Sequence, residues 1–222
     1  ISKIMERGVN KEKLEFWPQY AASFYKPLPK LNIQSEKFNV VFAGNIGYAQ
    51  GLGILIDVAQ KLKYKNIENV IFTIIGNGRY KSELIRNINL LKLDNYFYFI
   101  EQKTAAEIPE LFRSADALLI TLSKSEVFSI TIPAKTQSCM ACGKPILVSA
   151  DGEIQSIIQD ANAGLVSNAE DSDGLFNNIL ILLQLDENSL SQFGLNALKY
   201  SEKKFNKNTL LNRLDEIFRQ VK

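Results

Sequence analysis

Histidine is missing from all 222 residues, which removes imidazole general bases and with them Ser-His-Asp and Cys-His catalysis. Any chemistry must use carboxylates, lysines, backbone amides or the substrate itself. Cysteine is scarce: Cys139 and Cys142 sit too close to supply a disulfide framework, and a reducing compartment fits them. Without histidine or a third cysteine they cannot build a four-ligand zinc site. A redox Cys-x-x-Cys opens its helix, whereas Met140 and Ala141 fall inside one, so both thiols read as small buried helix residues. Charge of one sign is lacking too: 26 basic and 24 acidic residues leave a formal net charge of +2, with no broad field for nucleic acid. No apolar run reaches eighteen residues, the length a membrane-spanning helix needs. The chain starts at Ile1 without methionine and without the basic start and apolar middle of a signal peptide, so it reads as an excised segment. With 46% hydrophobic and 23% charged residues, it has enough apolar mass for one large core.

What is present is an alternation of short β-branched runs with longer amphipathic ones, the pattern of βαβ units and a mostly parallel sheet. Strands are predicted at Asn39–Ala43, Val70–Ile75, Tyr96–Ile100, Ala117–Thr121, Pro145–Val148 and Gly164–Val166. Between them, Leu52, Leu55, Ala59 and Leu62, then Leu84, Ile88 and Leu91, then Ile108, Leu111 and Phe112 recur at helical spacing. The fold class is therefore α/β: a Rossmann-like parallel sheet of about six strands with helices on both faces. After Ala169 three helical runs follow, around 175–185, 190–205 and 208–221. The last carries Leu210, Leu211, Leu214, Ile217, Phe218 and Val221 on one stripe that must pack on something. Residues 1–36 read as a segment entering from elsewhere: the tail of a helix capped by Gly8, then a stiff Pro27 and Pro29 connector. The domain proper spans 37–205, and 206–222 forms a C-terminal helix.

In such sheets a ligand sits at the carboxyl ends of the strands. The first loop there, Gly44-Asn45-Ile46-Gly47-Tyr48-Ala49-Gln50-Gly51, can bring backbone amides to an anion at a helix start, or can simply be a tight turn. It is not a Walker loop, because no Gly-Lys-Ser or Gly-Lys-Thr follows. The second, Gly76-Asn77-Gly78-Arg79, lacks the further glycine of a dinucleotide fingerprint, which argues against a dehydrogenase. Arg79 either pairs with phosphate or faces solvent. In the third, Ser125 to Lys135, Pro133 suits a first helical turn. Lys135 just beyond it either reaches an anion or is an ordinary solvated lysine.

Taken in order, Gly44 to Gly51, Ile75-Gly76-Asn77-Gly78, Phe97-Tyr98-Phe99, Ser114-Ala115-Asp116-Ala117, Ser125-Glu126-Val127-Phe128 and Met140-Ala141-Cys142-Gly143-Lys144-Pro145 resemble one known pattern. It is that of the carboxyl-terminal domain of retaining GT-B glycosyltransferases of group 1. Gly8-Val9, Lys13 and Trp17-Pro18-Gln19 resemble the segment that enters this domain. Asn45-Ile46-Gly47, Gln50-Gly51 and Ile132-Pro133-Ala134-Lys135 resemble the branch containing fucosamine-type transferases of bacterial O-antigen and capsule synthesis.

The resemblance implies metal-independent transfer of a sugar, with retention, from a nucleoside diphosphate (uridine favoured) to a hydroxyl acceptor. No cofactor is implied; the nucleotide sugar is the substrate. The implied donor-contacting set is Asn45, Gly47, Gln50, Gly76, Asn77, Gly78, Arg79, Ile100, Thr131, Ile132, Pro133, Lys135 and Ser138, with Glu126 and Lys135 as catalytic candidates. Diphosphate would lie over Gly47 near Lys135, and the base would rest on backbone just past Ile100. This chain departs from the pattern in placing Asn45 and Gln50 where many relatives carry Arg and Lys, so Lys135 would take over that charge. Ser138 stands at the family's ribose-binding Glu. The paired Glu falls at Ile130, and Glu126 reaches that place only across an insertion. Implied partners are an amino-terminal acceptor domain and a lipid-linked acceptor, in a cytoplasmic enzyme at the inner membrane face. A sugar-nucleotide epimerase or a non-catalytic binding module are the alternatives.

Overall fold

Six short runs rich in Val, Ile, Leu and Phe pair into one sheet. They are β1 (Phe38–Ala43), β2 (Val70–Ile75), β3 (Phe97–Ile100), β4 (Ala117–Thr121), β5 (Ile146–Ser149) and β6 (Gly164–Ser167). The computed structural model describes residues 2–31 and 37–220. Strand order is β3-β2-β1-β4-β5-β6, and every neighbouring pair is parallel. All residues of β4 and β5 are buried, which is why they read as continuous apolar runs: helices cover both faces. Three strand starts shift from expectation by one residue, β1 beginning at Phe38 instead of Asn39. Residues 94–96 form a single 3-10 turn before β3. Pro145 has no N–H to donate and stays outside β5, although its carbonyl accepts from Leu118 N at 2.8 Å.

The helices are α1 (Ser2–Met5), α2 (Ile54–Tyr64), α3 (Lys81–Leu90), α4 (Ile108–Leu111), α5 (Glu126–Ser129), α6 (Lys135–Ala141), α7 (Glu153–Asp160), α8 (Ser172–Gln184), α9 (Glu187–Lys204) and α10 (Lys207–Gln220). One face of the sheet is packed by α2, α3 and α8 through Leu55, Leu62, Leu84, Ile88, Leu175 and Ile179. The other is packed by Phe112 just past α4, and by α6, α7 and α9, through Met140, Ile154, Ile158 and Ala197. Each such fully buried aliphatic side chain contributes about 1.5–3 kcal/mol. Asp171 and Asp186 start α8 and α9 by accepting from Gly174 N (2.8 Å) and Ser189 N (2.7 Å), each satisfying an amide with no partner inside its helix.

The expected C-terminal helix forms, but its stripe is only partly covered. Leu210 is buried, while Leu211 and Phe218 are exposed; Val221 lies outside the described residues. The entry segment provides the partner. Trp17 Nε1 donates to the Leu210 carbonyl at 3.1 Å, Arg213 pairs with Glu15, and Lys207 Nζ lies 5.5 Å from the Tyr20 ring. Upstream, α1 is a single turn, with Gly8 N bonded to the Met5 carbonyl at 2.8 Å. Residues 32–36 of the expected connector lie outside the described residues. Among the described residues, no helix is long and apolar enough to cross a membrane.

Candidate functional site

The strand order reverses between β1 and β4, and in open parallel sheets a crevice opens at the carboxyl ends beside such a point. Three loops build most of it, and the loop leaving β3 adds Gln102, Lys103 and Ala105. The loops leaving β1 and β2 are joined backbone to backbone: Gly44 N to the Ile75 carbonyl (3.0 Å), Ile46 N to the Asn77 carbonyl (2.8 Å) and Tyr80 N to the Ile46 carbonyl (3.0 Å). This contact explains the glycines of the second loop. A Cβ on Gly76, whose φ is +142°, would stand 2.0 Å from the Gly44 oxygen, and one on Gly78 would stand 2.3 Å from the Ile46 oxygen. Both positions make room for the neighbouring backbone, and the amides of Gly44, Ile46 and Gly76 are already engaged.

The third loop leaves β4 and passes through α5, where Ser125 caps the helix by accepting from Val127 N at 3.3 Å. It then delivers Lys135 as the first residue of α6. The Lys135 side chain runs back under the first loop. Its ammonium donates to Gln50 Oε1 and sits 4.0 Å from the centroid of the Phe42 ring. Both partners are neutral. Burial lowers its pKa from 10.5 to about 8, because desolvation penalises the charged form and no carboxylate compensates.

Above Lys135 opens a cavity of about 440 Å³, within the range of small-molecule sites. Its polar part is Gly44, Asn45, Gly76, Asn77, Gln102, Lys103, Lys135 and Ser138; its apolar part is Tyr25, Ala105, Ile108 and Phe112. Among the described residues no Asp or Glu lines it. Such a space suits an anionic group joined to a flat apolar one. No group of three His, Cys, Asp or Glu among the described residues is arranged to hold a metal ion.

Of the residues expected from sequence, Asn45, Gly76, Asn77, Lys135 and Ser138 line this cavity, and Gln50 reaches it through Lys135. The rest do not line it. Gly47 lies under the Asn45 amide and Gly78 against Ile46, while Arg79 is exposed. Ile100 uses its carbonyl to accept from Gly76 N at 3.0 Å. Thr131 donates its hydroxyl to the Val127 carbonyl at 2.6 Å, Ile132 packs against the core on the α6 face, and Pro133 is partly buried. Glu126 is exposed at the start of α5. Sequence reasoning passed over Gln102 and Lys103, which the carboxyl-end rule applied to β3 would have found, and Tyr25, which carries no local signal. Cys139 and Cys142 are buried free thiols, each pushed up to about 12 by desolvation, as their reading as inert helix residues requires.

The fold is thus a Rossmann-like α/β domain with a lysine-floored crevice at its strand ends. Residues 26–200 match the family Glycosyl transferases group 1, and the chain belongs to that family. It is 27% identical over 161 residues to WcaI of Escherichia coli K12, named for a glycosyl transferase role in colanic acid biosynthesis; the match covers 68% of this chain and 38% of WcaI. It superposes on the structure of HepE from Anabaena in complex with UDP with a TM-score of 0.83, at 22% identity over 99% of this chain and 61% of that one. The C-terminal domain of LpcC, a group 1 family protein of Francisella tularensis, aligns with a TM-score of 0.65 at 19% identity, over 84% of this chain and all of that domain. The chain thus spans well under half of WcaI and about three fifths of HepE.

Proposed function

We propose that this chain is the donor-binding half of a glycosyltransferase that moves a sugar, with retention and without a metal, from a nucleoside diphosphate to a hydroxyl acceptor in bacterial surface polysaccharide synthesis. Uridine is the favoured base, by analogy with the UDP held by HepE. The observation that carries this reading is Lys135: a desolvated cation with only neutral partners, facing an acid-free cavity at the carboxyl ends of the sheet. A diphosphate supplies the missing negative charge. In the reaction the bond between the anomeric carbon and the phosphate oxygen breaks, and that carbon bonds the acceptor oxygen, whose proton leaves. Lys135 stabilises the charge growing on the departing diphosphate, the type of interaction that is commonly the largest catalytic contribution. Lys103 and the Asn45 amide add polar contacts beside it, while the acceptor is held by an amino-terminal domain. The enzyme works in the cytoplasm, where a lipid-linked acceptor would bring it to the inner membrane face.

The test is a thermal-shift and calorimetric panel of nucleoside diphosphates and their sugars on the 222-residue chain. At least one should stabilise the fold in proportion to its concentration over its affinity, with no sugar transfer by this chain alone. Absence of binding across the panel overturns the donor-site reading, and robust transfer by the chain alone overturns its assignment as half of an enzyme.

A further inference from the structure

Four non-glycine residues among those described have positive φ. Asn66, Lys92 and Asn162 each stand two residues past the end of a helix, after α2, α3 and α7, where a left-handed residue closes the last turn. Glu170 (φ +64°) has no helix before it and lies between β6 and α8. The left-handed region crowds Cβ against the backbone, and such strain persists only where the surroundings impose it. Here they do. The Ala169 amide donates to Asp151 Oδ1 at 3.0 Å and the Asp171 carboxylate caps α8, so the backbone is pinned on both sides of Glu170.

The side chain held there reaches another loop. Glu170 Oε1 accepts from Lys124 N at 3.1 Å, where the third loop leaves β4. One residue earlier, Ser123 donates its amide (3.0 Å) and its hydroxyl (3.4 Å) to the Ala49 carbonyl, and a Cβ on Gly51 would stand 2.9 Å from the Ser123 nitrogen. The 3-10 turn Tyr48–Gln50 of the first loop therefore leans on Ser123. Gln50 ends that turn, and its side chain receives the Lys135 ammonium. A continuous run of bonds thus joins a strained turn outside the cavity to the cation on the cavity floor.

We propose that Glu170 is a positioning residue: its carboxylate fixes the exit of β4 and, through the Ala49–Gln50 turn, holds Lys135 where the diphosphate is met. The proposal rests on the donor-site reading given above. Ordering a loop before the ligand arrives raises affinity by removing that cost from binding.

The experiment measures melting temperature, and affinity for the adenosine, cytidine, guanosine and uridine diphosphates by calorimetry, on the 222-residue chain and its variants. Glu170→Gly removes the strain and the carboxylate together. It should leave the melting temperature within about 3 °C of wild type and weaken the tightest-bound diphosphate roughly three- to tenfold, the scale of one net hydrogen bond. Glu170→Gln keeps an oxygen for the Lys124 amide and should hold affinity within about twofold of wild type. Added to Lys135→Met, Glu170→Gly should change affinity by less than about twofold, because the residue it acts through is gone. Wild-type affinity in Glu170→Gly overturns the positioning role while the donor site stands. So does a loss that Glu170→Gln shares, one that adds in full to Lys135→Met, or one that tracks a fall in melting temperature. Failure of every diphosphate to bind the wild-type chain takes down the donor site, and this proposal with it.

Discussion

Lys135 and Lys144 bracket the same helix, one beginning α6 and one three residues past its end, and both are desolvated enough to lower their pKa. What surrounds them differs. Lys144 donates to the carbonyls of Ala115 (2.9 Å) and Arg113 (3.3 Å), with Asp116 close enough to favour its charge. It ties the turn before β4 to the turn before β5, at the end of the sheet away from the cavity. Lys135 has one amide oxygen, one aromatic ring and an open space. A desolvated cation whose donors are already taken is part of the scaffold, whereas one left short of negative charge beside a cavity marks where an anion belongs.

The comparison is broken most directly by removing each charge. Lys135→Met should weaken nucleoside diphosphate binding roughly 10- to 100-fold, the scale of a charge-assisted hydrogen bond. The melting temperature of the empty chain should hold or rise. Lys144→Met should do the reverse, leaving affinity within about twofold while lowering stability by about 1–3 kcal/mol, because two carbonyls lose their donor. Equal effects of the two variants on affinity would erase the distinction between them.

A gentler change gives Lys135 the partner it lacks. Gln50→Glu places a carboxylate against the ammonium, so diphosphate affinity should fall roughly tenfold and the lysine should titrate higher. Unchanged calorimetric affinity would mean that Lys135 does not meet the phosphate.

The least direct effect is read from pH. Below about 8 the folded and unfolded chains both carry the Lys135 proton. Between about 8 and 10.5 the folded chain has released it and the unfolded chain still holds it, so this lysine's contribution to unfolding free energy rises with pH, while above 9 the thiols of Cys139 and Cys142, which ionise first in the unfolded chain, pull the total the other way. The lysine's own gain is about 3 kcal/mol, read as the difference between wild type and Lys135→Met. It should be absent from urea midpoints of Lys135→Met, and its persistence there would assign the rise to another group. Over the same range diphosphate affinity should decline as the cation is lost.

Much of the fold was legible because each strand carries its own signature. Ala117–Thr121 and Val70–Ile75 were read with their observed limits, since runs of buried β-branched and apolar residues between turn signals depend little on distant partners. Lys135 was legible as a position, after Pro133 and at a helix start, but sequence could not say whether it met solvent, a carboxylate or a cavity. The glycines of the second loop show a different gap. Gly76 and Gly78 entered only as donor contacts implied by the resemblance, yet their missing side chains admit the backbone of the neighbouring loop, and local sequence is silent on such an approach. Tyr25 lies furthest from legibility. It shares the cavity wall with Ser138 over a separation of more than a hundred residues, and neither residue's local sequence hints at the other.

The two suppressed thiols have a use that follows from where they sit. Cys139 lies in the wall of the cavity and Cys142 closes α6 against the entry segment. In the folded chain neither is ionised near neutral pH. Alkylation must therefore wait for that helix to open, and its rate becomes a clock for the excursions of one helix that a bound nucleotide would slow.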